Sequence, residues 1–162
     1  MKNELQSLRE NQTWELVELP PGRKAIASKW VYKIKENSDG TIDKFKARLV
    51  AKGYSQSKGI DYEQTFSPVA NKSTVRTLIS VAAKENMFLM QFDVSTAFLY
   101  GNLLEEIYMK QPEGFEDGTT KVCKLKRSLY GLKQAPRCWN ERFGKFLSKL
   151  NFVRSTATHG YI

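Results

Sequence analysis

The chain has 162 residues, 41% of them hydrophobic and 27% charged, and a formal net charge of +9. Its mass of 18.6 kDa suffices for one core with roughly 8,200 Å² of residual surface, and its composition excludes wholesale disorder. No apolar run approaches the ~20 residues of a membrane span, no hydrophobic signal region opens the chain, and Cys123 and Cys138 make neither a disulfide scaffold nor a zinc site.

In chain order, Leu5 and Leu8 predict a short amphipathic helix over 2–10, and Pro20-Pro21-Gly22 breaks the chain after it. A β-hairpin follows. Trp30, Tyr32 and Ile34 alternate with Lys29, Val31, Lys33 and Lys35, Asn37-Ser38-Asp39-Gly40 gives the turn, and the return strand runs over about 42–52. On that strand Lys44, Lys46, Arg48 and Lys52 share one parity and Phe45, Ala47, Leu49 and Ala51 the other, so the cations fall on one face. Ser73 is expected to cap a helix of about 74–86 whose stripe of Val75, Leu78, Ile79, Ala82 and Ala83 packs in the core. The run from Met87 to Val94 reads as a largely buried strand that ends in Asp93, with Met87 and Met90 as core filler. Strands are expected over 107–111 and 122–125, with a loop over 112–120 between them. Pro136 opens a last helix with a stripe of Trp139, Phe143, Phe146, Leu147 and Leu150. The mixture points to an α+β fold with antiparallel pairing around the hairpin.

Charge is uneven. Residues 22–58 and 121–154 are strongly basic and bracket an acidic block over 59–120. This is the pattern of a polyanion groove around a carboxylate-bearing site, or else of solvated surface. Asp93 is the main candidate for chemistry, because an acid at the end of an apolar strand needs a metal, a cation or water; a solvent-facing strand end is the plainer reading. Asp61 and Glu63 fit a turn, Gly131 is a lone glycine rather than a phosphate-binding motif, and His159 is too near the end of the chain to be a positioned base.

Six strings occur in order: Lys29-Trp-Val-Tyr-Lys-Ile-Lys, Lys46-Ala-Arg-Leu-Val-Ala-Lys-Gly53, Thr65-Phe-Ser-Pro-Val69, Phe92-Asp-Val-Ser-Thr-Ala-Phe-Leu99, Glu106-Ile-Tyr-Met-Lys-Gln-Pro-Glu-Gly114 and Ser128-Leu-Tyr-Gly-Leu-Lys-Gln-Ala-Pro-Arg137. Together they make the chain resemble the reverse transcriptase of copia-type retrotransposons, from about residue 3 to about residue 155. The resemblance implies a partial right-hand polymerase fold over 1–155, with a fingers hairpin, part of a palm and packed helices, and a divergent tail over 156–162. It implies that Arg48 binds the phosphates of an incoming deoxynucleoside triphosphate, helped by Lys33 or Lys35. Asp93 would be the first palm carboxylate and would hold Mg²⁺ with the carbonyl of Val94. Phe98 would block a ribose 2′-hydroxyl, the amides near Thr96 and Ala97 would meet phosphate oxygens, and Gln134 would touch the sugar.

The implied partners are an RNA or DNA primer–template, nucleoside triphosphates and the rest of the polymerase, with no membrane and an intracellular setting. The family's two-metal chemistry draws further acids from a Tyr-x-Asp-Asp hairpin. No such string occurs before Ile162, and Thr158 stands near a position where the family tends to have Asp. The expectation is therefore an RNA-directed DNA polymerase segment that is inert alone. The alternatives are a non-catalytic nucleic-acid-binding module and a decayed element of marginal stability.

Overall fold

We describe residues 1–155 of a computed structural model. The elements run α1 (Lys2–Glu10), β1 (Trp14–Val17), β2 (Ser28–Glu36), β3 (Ile42–Ala51), α2 (Lys72–Lys84), β4 (Tyr108–Met109), β5 (Val122–Leu125) and α3 (Ala135–Lys149), with 3-10 turns at Gly53–Ser55 and Ala97–Tyr100. This is a mixed α/β arrangement with two antiparallel sheets and three helices. No helix of the described residues is long and apolar enough to cross a membrane. Thr158 and His159 lie outside the described residues.

The core forms where alternation and helical spacing aim apolar side chains at one place. One sheet has the order β1-β5-β4, and Ile26 bridges to Met109 beside it. Against it lie Leu5 and Leu8 of α1, Leu49 and Ala51 of β3, and Leu99, Leu129, Leu132 and Ala135, all buried. Burial pushes the thiol of Cys123 up to about 12 and that of Cys138 to about 11, so both are inert packing groups. Strand β1 was not foreseen, although Trp14-Glu15-Leu16-Val17 alternates at period two and pairs antiparallel with β5 from Trp14↔Leu125 to Val17↔Val122.

The hairpin forms as the sequence requires. Asn37 N–H donates to Thr41 O at 2.8 Å, Gly40 takes a left-handed φ of +83°, and Asp39 accepts from the Thr41 N–H and hydroxyl. Cross-strand partners include Val31↔Arg48, Lys33↔Lys46 and Lys35↔Lys44, with Trp30↔Leu49, Tyr32↔Ala47 and Ile34↔Phe45 in alternation. The cations therefore occupy one face and the aromatic and aliphatic side chains the other.

Four expectations need correction. The segment 87–94 is neither a strand nor buried: Phe88 is 100% exposed, and Met87, Met90 and Phe92 are exposed with it. A strand needs a hydrogen-bonded neighbour, and neither sheet of the described residues extends to this segment. Asp93 consequently stands in solvent rather than at a buried strand end. Helix α2 is capped by the Asn71 side chain, which accepts from Ser73 N–H at 3.1 Å, so Ser73 is not the cap. Of its stripe, Val75, Leu78 and Ile79 are exposed and Ala82 is buried. On α3, Trp139 stacks on Phe143 at 5.3 Å, but Phe146 and Leu150 are exposed; the residues the helix buries are Ala135, Cys138 and Gly144. Consistent with this open apolar surface, the chain exposes 11676 Å².

Gly131 is a structural requirement rather than a bystander. Its φ is +91°, and a Cβ there would stand 2.1 Å from Ala51 O, while one at Gly53 would stand 2.0 Å from Gly131 O. Gly131→Ala is therefore expected to cost more than about 2 kcal/mol in urea unfolding, whereas Gly114→Ala, with the same handedness but open space, costs only about 1–2 kcal/mol. Equal losses would contradict the close-approach reading.

A second test concerns the loop between β4 and β5. Hydrogen bonds from Thr119 and then Gln111 lower the Asp117 carboxyl from 3.8 to about 2. A depressed carboxyl stabilises the fold above its unfolded value, and that stabilisation is lost as pH falls through the folded one. Asp117→Asn should therefore flatten the stability profile between about pH 4 and pH 2. An unchanged acid limb would show that the loop does not depend on this carboxylate.

Candidate functional site

Strand β3 delivers Arg48 on the cationic face, opposite Val31. Its guanidinium carbon lies 5.4 Å from the centroid of the Tyr130 ring. Tyr130 in turn meets Phe98 edge-on, with centroids 4.8 Å apart and planes at 67°. A cation and two rings thus stand in a row, each contact of the attractive kind for its geometry. Tyr130 is held in place by its backbone: Ala51 N–H donates to Tyr130 O at 2.7 Å.

Phe98 sits in the 3-10 turn Ala97–Tyr100, entered through Thr96 at φ 53°. A left-handed threonine costs about 1–2 kcal/mol, which the surrounding contacts must offset. Ser128 Oγ donates to the Phe98 carbonyl, and a Cβ on Gly101 would collide with Ser128 Oγ at 2.7 Å and with Cys138 Cβ at 2.8 Å. The turn is therefore seated directly against the start of α3 and the segment that leads into it.

The other predicted residues fall in different surroundings. Lys33 and Lys35 share the Arg48 face, Lys33 exposed and Lys35 half-buried. Like charges directly opposite each other, Lys33 to Lys46 and Lys35 to Lys44, oppose folding unless an anion relieves them. Gln134 is fully buried and both ends of its amide are engaged: Gln56 Nε2 donates to its Oε1 at 3.0 Å, and its Nε2 donates to Asp61 O at 2.8 Å. Gln56 Oε1 also accepts from Lys133 N–H at 2.8 Å, so this amide pair ties the 53–62 loop to the start of α3. Asp61 accepts from Ser57 N–H at 2.8 Å, the turn role expected of it. Asp93 and Val94 stand exposed, and among the described residues no group of three or more His, Cys, Asp and Glu side chains could hold a metal.

The structure thus unites Arg48 and Phe98 through Tyr130, a residue the sequence reading did not single out. Its signal was present in the string Ser128-Leu-Tyr-Gly, where an aromatic precedes a glycine that needs left-handed freedom. Arg137 was also missed as a junction. Its guanidinium pairs with Glu105 at 2.9 Å and Glu141 at 2.8 Å, and donates to Gln64 O at 3.0 Å. Ser67 Oγ donates to Pro136 O at 3.2 Å beside it, so the Thr65–Val69 string is docked on α3. Glu4 of α1 lies against β3, where it accepts from Leu49 N–H at 3.4 Å. Burial holds its carboxyl above the ordinary value, with the Leu49 hydrogen bond, Arg48 and Lys46 pulling the other way.

Residues 11–162 match the family described as "Reverse transcriptase (RNA-dependent DNA polymerase)". Among curated proteins, the chain is 49% identical over 157 residues to the "Retrovirus-related Pol polyprotein from transposon TNT 1-94" of Nicotiana tabacum, covering 96% of this chain and 12% of that protein. It is 44% identical over 160 residues to the corresponding polyprotein from transposon RE1 of Arabidopsis thaliana, covering 97% of this chain and 11% of the other. An uncharacterized mitochondrial protein of Arabidopsis thaliana is 49% identical over 82 residues, 51% of this chain and 48% of that protein. The chain therefore spans only a small part of the two polyproteins. No solved structure matches.

The Arg137–Glu105 pair tests the seating of the site. Both side chains are 14% exposed. Glu105→Ala should cost about 2–4 kcal/mol in thermal or urea unfolding, because it leaves a largely buried guanidinium with one fewer anion. A loss below about 0.5 kcal/mol, the level of an exposed pair, would mean that the junction does not hold the loops to α3.

Proposed function

The chain belongs to the reverse transcriptase (RNA-dependent DNA polymerase) family, and from that premise we propose that it forms the triphosphate-facing side of a polymerase's nucleotide pocket. The observation that carries this reading is the row Arg48–Tyr130–Phe98. The guanidinium end presents five donors to phosphate oxygens, and the ring end presents a flat apolar wall to a sugar. Lys33 and Lys35 extend the positive face beside Arg48, and a bound polyphosphate would relieve their repulsion with Lys46 and Lys44. Phe98 is the bulk that rejects a 2′-hydroxyl. The Ala97 and Thr96 amides lie one and two residues before it, and phosphate oxygens are assigned to them. Gln134 acts in this scheme as a positioning residue, since its amide holds the 53–62 loop.

The family implies a nucleic-acid template and nucleotide substrates, and within the longer protein we assign the chain to RNA-directed DNA synthesis. In a right-hand arrangement over 1–155, the β2–β3 hairpin is the fingers element, and the β1-β5-β4 sheet with Asp93 belongs to the palm side. Enzymes of this family generally depend on divalent metal. The described residues do not fit a complete magnesium centre, because Asp93 is exposed and no carboxylate cluster surrounds it. The work assigned to these residues is therefore binding and alignment of the nucleotide, with Asp93 and the Val94 carbonyl as one contribution to a metal site.

The test is binding of a fluorescent deoxynucleoside triphosphate to the chain. Arg48→Ala should weaken it roughly ten- to a hundredfold, the value of a charge-assisted contact. Phe98→Ala should leave deoxynucleotide affinity nearly intact and bring ribonucleotide affinity up toward it. Unchanged affinity in Arg48→Ala would overturn the assignment.

A further inference from the structure

The turn that carries Phe98 is fastened along the segment 126–128. Leu103 N–H donates to Lys126 O at 3.5 Å, and Ser128 N–H donates to Gly101 O at 2.8 Å. Between them Asn102 bridges antiparallel to Arg127, whose Nη1 donates to Asn102 Oδ1. One further link reaches Phe98 itself. Ser128 Oγ donates to Phe98 O, which also accepts from Gly101 N–H at 3.0 Å. Ser128 is fully buried, and its Oγ fills the space that a Cβ on Gly101 would need, 2.7 Å away. Two residues further on, the same segment carries Tyr130, whose ring meets Phe98 edge-on. Residues 128 and 130 thus hold Phe98 at both its backbone and its ring.

We infer that Ser128 is a positioning residue that sets the sugar specificity of the site, its hydroxyl fixing through the Phe98 carbonyl how far the Phe98 ring reaches toward a 2′-hydroxyl. The inference rests on the reading of Phe98 given above. Three observations carry it. Phe98 is half-buried, so packing alone does not lock its ring, and the edge contact with Tyr130 leaves it free to slide. The turn is entered through the left-handed Thr96, a conformation that relaxes unless the residues after it are tethered. The Ser128 hydroxyl is that tether at Phe98 itself, whereas the other links of 126–128 fall on residues 101–103. A ring that selects by steric contact responds to displacements well below 1 Å, so one lost hydrogen bond reaches the selection without touching the phosphate end at Arg48. Being fully buried, Ser128 acts through Phe98 and not on the nucleotide.

The experiment measures the affinities of the full chain and its variants for matched fluorescent deoxyribo- and ribonucleoside triphosphates. Ser128→Ala leaves the Phe98 carbonyl paired with Gly101 N–H, so no buried acceptor is orphaned and the variant should still melt cooperatively. It should lower the preference for the deoxynucleotide roughly fivefold, the value of one neutral hydrogen bond, with deoxynucleotide affinity within about threefold of the parent. Ser128→Cys, with a weak donor in nearly the same volume, should fall between the two. In a Phe98→Ala background, Ser128→Ala should change the preference less than about twofold, because the residue through which it acts is gone. Asp117→Asn, which loosens the fold in the β4–β5 loop instead, should keep the parent preference. If Phe98→Ala alone changes the preference and Ser128→Ala does not, this inference fails and the reading of Phe98 stands. If Phe98→Ala leaves the preference unchanged, that reading fails and this inference falls with it. An undiminished Ser128→Ala effect in the Phe98→Ala background, or an equal effect of Asp117→Asn, also overturns the proposal.

Discussion

The arrangement depends on one close approach, that of the Tyr130-Gly131 turn to the end of β3. Ala51 N–H donates to Tyr130 O at 2.7 Å, and Gly53 and Gly131 leave no room for a Cβ on either side. A hydrogen bond alone contributes about 1 kcal/mol net, so its role is positional rather than energetic. It sets the ring of Tyr130 beside the guanidinium that β3 carries three residues upstream of Ala51. From there the Phe98 turn, the Ser128 hydroxyl and the start of α3 follow in contact. Separate parts of the chain, 48–53, 96–101 and 128–138, become one unit by this route.

The same hairpin separates two kinds of surface. Period-two geometry sends Arg48 and the lysines to one side and Tyr32, Ile34 and Phe45 to the other. At its base the apolar face continues into the core through the half-buried Trp30 and the buried Leu49; toward its tip it runs into solvent. The packed base and the open tip are therefore one pair of strands. The body beneath is secured by buried polar links as well as apolar packing, the Gln56–Gln134 amide pair and the Arg137–Glu105 ion pair among them. Such links are costly to break one-sidedly and so fix loops that carry few apolar contacts.

Much of this was legible in the sequence where local chemistry decides the outcome. The hairpin, its Asn37–Gly40 turn, α1, β5 and the proline-opened α3 rest on alternation, turn residues and spacing, and they appear within a few residues of expectation. The failures share one cause. Whether an apolar segment is buried depends on a neighbour that no local pattern reveals. Residues 87–94 and the stripe of α2 read as core because they are apolar, yet the segment and Val75, Leu78 and Ile79 of the stripe stand exposed, with Ala82 buried. Tyr130 and Gly131 were passed over for the complementary reason: their importance lies in a contact with Ala51 and Gly53, nearly eighty positions away. Gln134 was assigned a sugar contact by resemblance, whereas its amide here is engaged by Gln56 and Asp61, which points to support of the site.

The central claim is that Arg48, Tyr130 and Phe98 form one surface that meets a nucleotide. Titrating a deoxynucleoside triphosphate into isotope-labelled chain and following side-chain NMR signals tests it directly. The account predicts concerted, saturable shifts of the Arg48 guanidinium and of the Tyr130 and Phe98 rings, with one shared dissociation constant. Shifts confined to the lysines of α3 or spread evenly over the basic surface, with those three signals unmoved, would contradict it.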